Sequence, residues 1–370
     1  MLYNRKIESK IFKKGSSDMS RLGLLLINFI FLFAGNQQGV EKTQREIHLK
    51  NIKQLTTGGL NAEAYFSPDG RFITFQATRD TFKCDQIFLM DTTGKILRLV
   101  STGKGRTTCS FFLDENRIMF SSTHETLGPE CPENPLVYEF IKKKIYAWPL
   151  FNYDIYIRDL RNDSLYKLFG SPHYDAELEG PSPDGKIVFT SAMNNDIDLY
   201  ILEPPYHKPP KRLTFTPGYD GGSFFSPSGR YIVYRAAHLR DSSEIKEFRE
   251  LLRKGLVKLT HLEIYVYDLE KDTFWQVTHT PDGVANFAPY FFTDEKRIIF
   301  ASNFHAPGSW DFALYAIDRD GKNLERITYE GTFNSFPMFS PDGKKLIWAS
   351  NRGTQGKRRE INIFMADWVP

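Results

Sequence analysis

Apolar residues in this chain fall in short runs, and the same polar string precedes most of them. Ser67-Pro68-Asp69-Gly70 leads into Phe72-Ile73-Thr74-Phe75, a run of strand character. Close copies are Ser226-Pro227-Ser228-Gly229 leading to Tyr234 and Ser340-Pro341-Asp342-Gly343 leading to Trp348. Ser182-Pro183-Asp184-Gly185 leads to Phe189, one residue sooner. Degenerate copies run Phe112-Leu113-Asp114-Glu115 to Phe120 and Phe292-Thr293-Asp294-Glu295 to Phe300. The closing aromatics Phe75, Phe120, Phe189, Tyr234, Phe300 and Trp348 stand 45, 69, 45, 66 and 48 positions apart. An internal period near 45 marks a repeat architecture.

Two further signatures follow each copy. One is an aliphatic–aromatic pair: Ile87-Phe88, Ile155-Tyr156, Leu199-Tyr200, Ile264-Tyr265, Leu314-Tyr315 and Ile363-Phe364. The other is a short strand before the next copy, such as Arg98-Leu99, Lys167-Leu168, Arg212-Leu213, Gln276-Val277 and Arg326-Ile327. Proline fixes φ and Asp-Gly supplies the positive-φ positions of a tight turn, so each string joins antiparallel strands. Each unit is then a four-stranded blade, and the fold class is all-β, a six-bladed β-propeller. The last copy reaches Pro370 after its third strand, while an unused strand, Lys53-Gln54-Leu55-Thr56, precedes the first copy. That strand is expected to complete the last blade and close the ring over residues 51–370, with 36–50 as a linker.

The repeated Ser-Pro-Asp-Gly stretches and the closing strands Arg212-Leu213-Thr214 and Arg326-Ile327-Thr328 resemble the TolB-type β-propeller family over about residues 50–370. The resemblance implies a secreted or periplasmic protein that binds protein partners through one face of the disc. In the namesake the partners are cell-envelope proteins. Related propellers occur fused to peptidases or as gating domains. No separate α/β domain fits before residue 50, so the namesake's own role is not carried over.

The apolar run 22–34 is too short for a comfortable membrane span and follows Arg21, which fits a secretory signal within residues 1–35. Met19 is the alternative start, and an uncleaved anchor the alternative fate. The whole chain of 370 residues carries a net charge of +3. Residues 1–35 hold six Lys/Arg and two Asp/Glu, so the body is left at −1 and offers no basic footprint for nucleic acid. Three cysteines cannot build a disulfide-dense scaffold.

Blades 2 and 4 carry insertions, 124–152 and 239–260, on the rim shared by the second-to-third-strand loops. The second reads as a short helix: Asp241 with Glu244 forms a capping box, Ile245, Phe248, Leu251 and Leu252 share a face, and Gly255 ends it. The insertions pack as lids on their own rim, or else clamp a ligand with Trp148 and Phe248 as anchors. His124, His238 and His305 stand at matching rim positions and could converge on a transition metal, against ordinary hydrogen-bonded histidines. Glu63, Asp175, Glu177, Asp220, Asn286 and Asn334 open the channel strands, where they line a wet channel or, as paired carboxylates, do acid/base work. Cys84 and Cys131 should meet on the rim of adjacent blades and could form a disulfide, whereas Cys109 reads as a buried thiol.

These features point to an exported, monomeric, non-catalytic scaffold that needs no cofactor and binds a protein or peptide of the cell envelope through the insertion-bearing rim. It would touch the membrane only through an uncleaved leader. The alternatives are a propeller hydrolase or lyase acting on peptides or carbohydrates, and a regulatory propeller for a separately encoded peptidase.

Overall fold

The repeated turn is held by its side chains as much as by its glycine. In the computed structural model Gly70 takes φ +72°, a conformation that a Cβ disfavours, and donates its N–H to the Ser67 carbonyl at 2.8 Å. The Ser67 hydroxyl donates to Asp69 at 2.6 Å and accepts from the Phe72 N–H at 2.9 Å. The serine–aspartate contact recurs at Ser182–Asp184 and Ser340–Asp342. The aspartate was expected to share the positive φ. It is instead a side-chain acceptor, and the glycine alone is left-handed.

The structure describes residues 45–370 apart from 144, 146, 259–260 and 355–359, so the predicted leader lies outside the described residues. Six four-stranded antiparallel sheets form a propeller ring. Their inner strands are Leu60–Phe66, Thr107–Asp114, Asp175–Glu179, Gly218–Phe225, Asn286–Phe291 and Asn334–Phe339; each contacts the next, and the sixth contacts the first. The two predicted aromatics of each blade are cross-strand partners, from Phe75 with Phe88 to Trp348 with Phe364. Their ring centroids lie 5.6–6.2 Å apart, and the closing aromatics are at most 1% exposed. Each such pair contributes about 0.5–1.5 kcal/mol beyond its buried area.

The ring closes as the repeat arithmetic requires. Strand Leu49–Gln54 pairs antiparallel with Asn362–Trp368, and the Leu55 N–H continues the contact to the Ile363 carbonyl at 2.7 Å. Just before it, the buried Glu46 receives Arg352 through two bonds of 2.9 and 3.0 Å and the Tyr329 N–H at 2.7 Å. The body therefore reaches back into the stretch read as linker.

The two insertions do not stay apart. Helix α1, Val137–Lys142, precedes a short strand, Ala147–Pro149; helix α2, Ser242–Arg253, precedes another, Leu256–Lys258. These strands pair antiparallel, with Trp148 opposite Val257, so blades 2 and 4 are joined across blade 3. Helix α2 is capped by Asp241, which accepts from the Ser243 and Glu244 N–H groups and so forms one half of the expected capping box, and Gly255 ends the helix at φ +67°. Its Phe248 and Leu251 are buried; Phe248 packs in one cluster with Phe151 and Val257 of the lid, Tyr153 at the entry to blade 2, and Tyr174 and Ile197 of blade 3.

Candidate functional site

Every inner strand carries a β-bulge at the same place, and the bulge sets what faces the axis. The register slips between Ala62 and Tyr65 in blade 1 and at equivalent positions in the other five. At the slip Glu63, Cys109, Glu177, Gly222, Ala288 and Phe336 take φ between +45° and +57°. For a residue with a side chain that conformation costs roughly 1–2 kcal/mol, and it turns the residue onto the wall of a central cavity. The bulge residues of blades 1 and 3 are carboxylates, Glu63 and Glu177, whereas those of blades 5 and 6 are apolar, Ala288 and Phe336.

Two residues further along, aromatic rings close the channel. Tyr65 stacks on Phe111 at 4.3 Å between centroids, Phe224 meets Phe111 at 5.8 Å, and Tyr290 meets Phe224 at 5.3 Å. Glu179 and Met338 take the other two places in this layer; Glu179 accepts from the Phe225 N–H at 2.8 Å, and burial pushes its carboxyl up to about 8. The channel is thus a blind cavity of about 510 Å³ above an aromatic floor. Trp148 and Pro149 of the lid bound it on one side of the mouth, with Gly308, Ser309 and Trp310 of blade 5 among its other walls.

Three carboxylates and two arginines line this cavity among the described residues, and they are not equally engaged. Glu177 accepts from Tyr219 at 2.7 Å, the Gly222 N–H at 2.6 Å, Arg235 at 2.9 Å and Thr190 at 3.1 Å. The glycines opposite make room for this: a Cβ on Gly221 would lie 2.3 Å from Glu177. The Arg235 guanidinium stands 5.9 Å from the Trp148 ring, which ties the lid to the same network. Asp85 faces Arg106 at 3.5 Å. Glu63 has neither arrangement. Its buried Oε2 has no hydrogen-bond partner, and desolvation raises its carboxyl to about 7 against the smaller lowering effects of Cys109 and Arg235.

Of the residues singled out by sequence, Glu63, Glu177 and Trp148 meet in the cavity. Asp175, Asp220, Asn286 and Asn334 do not line a wet channel. They are at most 1% exposed and fasten the ring from within: Asn286 donates to Leu262, Asn334 to Phe312 of the preceding blade, and Asp175 accepts from Ser171 and Ser191. They precede the bulge by two positions, and the bulge moves the channel-facing register past them. Phe248 lies inside the lid rather than on a free rim. The three histidines remain in their own blades: His124 bonds Ser122 at 2.8 Å, His238 bonds Asp220 at 2.8 Å and His305 bonds Tyr315 at 3.1 Å. They do not converge, and among the described residues no group of three or more His, Cys, Asp or Glu is placed to hold a metal ion. Cys84 and Cys131 do meet, within hydrogen-bonding reach of each other and as free thiols.

Sequence reading missed Arg235, Asp85, Arg106 and the aromatic wall of Phe287, Phe312, Phe333 and Phe336. A signal existed for the ring. The bulge residue precedes the closing aromatic by twelve positions in five blades and by eleven in blade 2.

No family model matches the chain, and no curated protein does. Solved structures do. TolB from Acinetobacter baumannii matches with a TM-score of 0.52 and 18% identity, over 84% of this chain and 63% of that one, so this chain spans less than two thirds of its length. A putative TolB from Agrobacterium tumefaciens matches with a TM-score of 0.52 and 15% identity, over 86% and 97%. An oligogalacturonate lyase from Vibrio parahaemolyticus gives a TM-score of 0.47 at 13% identity, over 86% and 93%. At these identities the likeness is one of fold, a TolB-type six-bladed propeller.

Proposed function

We propose that this protein is a non-catalytic binding module of the cell envelope that seats part of a protein or peptide partner in the blind cavity at the channel mouth. The pairing of Trp148 with Val257 is the observation that carries this reading. It joins two insertions from separate blades into one lid and sets Trp148 at the edge of the cavity. A mostly apolar pocket with a few fixed polar groups is suited to recognition, and rigid blades hold those groups with little reorganisation. The envelope location rests on the apolar run 22–34 and on the family resemblance. The hydrolase or lyase reading asks for a rim metal or two available carboxylates; His124, His238 and His305 bond within their own blades, and Glu177 is already engaged by Arg235, Tyr219, Gly222 and Thr190.

A photo-reactive amino acid at position 148, with a control at the exposed Asp320 in a turn between outer strands, tests the reading in intact cells. Position 148 is expected to crosslink to an envelope protein and position 320 not to. Equal crosslinking from both, or none from 148, overturns it.

A further inference from the structure

Within that reading, which it rests on, we propose that the cavity recognises an ammonium group carried on an apolar or aromatic body, the ammonium against Glu63 and the body against the phenylalanine wall.

Charge is balanced unevenly around the cavity. Arg235 answers Glu177 at 2.9 Å and Arg106 faces Asp85 at 3.5 Å, which leaves Glu63 as the carboxylate without a counter-charge. A buried carboxylate without a counter-charge is unfavourable even beside the Cys109 thiol, so the site favours a ligand that brings positive charge and N–H donors. The orphaned Oε2 of Glu63 offers such donors an acceptor. Glu177 has no comparable vacancy, since four groups already donate to it within 3.1 Å.

The far wall sets the rest of the ligand. Phe287, Phe312, Phe333 and Phe336 form an aromatic surface in which Phe287 and Phe312 stand edge to face at 5.0 Å and Phe287 and Phe336 at 6.0 Å. Such rings accept an apolar body and add a cation–π attraction if the charge passes over a face. Glu63 and Phe336 are bulge residues of neighbouring blades, 1 and 6, so the acidic and the aromatic parts adjoin within one cavity of about 510 Å³. Two sources share this chemistry: a free aromatic amine, and the amino terminus of a chain that begins with an apolar residue.

Calorimetric titration separates these cases with four probes: 2-phenylethylamine, its neutral counterpart 2-phenylethanol, Phe-Gly-Gly-amide, and the same peptide acetylated at its amino terminus. The amines are expected to bind at least about tenfold more tightly than their neutral counterparts. In Glu63→Gln that preference should disappear while 2-phenylethanol binds as before, which shows the pocket intact. Tighter binding of the peptide than of 2-phenylethylamine assigns the site to a chain terminus, and the reverse assigns it to a free amine. Equal binding of amine and alcohol to the unaltered protein, or a preference that survives Glu63→Gln, overturns the ammonium assignment and leaves the pocket standing. Failure of all four probes to bind at millimolar concentration overturns the pocket as well.

Discussion

Glu63 stands at the cavity wall with a buried, unpartnered oxygen, and replacing it with glutamine should change how stability responds to pH. Its carboxyl is raised from 4.5 to about 7, chiefly by desolvation, with Glu177 and Asp85 adding to the rise and Cys109 and Arg235 opposing it. Below 4.5 the group is protonated in both folded and unfolded chains and contributes nothing. Between 4.5 and about 7 the unfolded chain ionises while the folded one keeps its proton. The folded state then binds more protons, so stability falls as pH rises, by up to about 1.4 kcal/mol per pH unit. Across the window this amounts to about 3 kcal/mol. Glu63→Gln keeps the shape and cannot ionise, so it should match the unaltered protein near pH 4.5 and exceed it by about 3 kcal/mol at pH 8. Asp175, Asp198 and Glu179, raised by burial to about 6, 7 and 8, titrate in both proteins and cancel in the difference. Urea unfolding followed by tryptophan fluorescence at pH 4.5, 6, 7 and 8 measures this. A difference that does not change with pH, or a variant less stable at pH 8, would refute the reasoning.

The buried pair of Glu46 and Arg352 yields a second expectation. Glu46→Ala leaves the buried Arg352 with only Glu330 at 4.0 Å and should cost up to about 3–5 kcal/mol, whereas Glu46→Ala with Arg352→Met removes the poorly compensated charge and should recover part of the loss; equal thermal destabilisation of both variants would count against it. A third concerns Cys84 and Cys131, which lie within reach of each other as thiols. Under oxidising conditions they should form a disulfide that clips the lid-bearing loop to blade 1 and adds about 4 kcal/mol in the loop-entropy account. Peptide mapping without reductant detects the bond, and complete alkylation of both thiols after oxidation argues the reverse.

The repeat was legible because it is local. Proline, glycine and the alternation of strand residues act over a few positions, so the turns, the strand count, the aromatic pairs and the helix capped by Asp241 could be read from short windows of sequence. Closure was legible for a related reason, since a blade lacking one strand and a spare strand at the other end imply each other. Glu46 was not, because its partner Arg352 is 306 positions away and nothing near it announces an ion pair.

The site divides along the same line. That polar residues open the inner strands is plain in the sequence, and Glu63, Glu177 and Trp148 do reach the cavity. Which polar residues face the axis is decided by the bulge, which shifts the two-residue period of a strand by one. Asp175, Asp220, Asn286 and Asn334 consequently turn into the ring itself, and Glu63 and Glu177 onto the cavity wall. The sequence by itself determined six blades and their order, because turn chemistry and strand pairing between neighbours are local, and their closure, because a blade lacking one strand and a spare strand at the other end imply each other. Only the tertiary structure decided that the two insertions join, that Arg235 saturates Glu177, and that Glu63 is left without a counter-charge, because each of those depends on residues from different blades meeting at one axis.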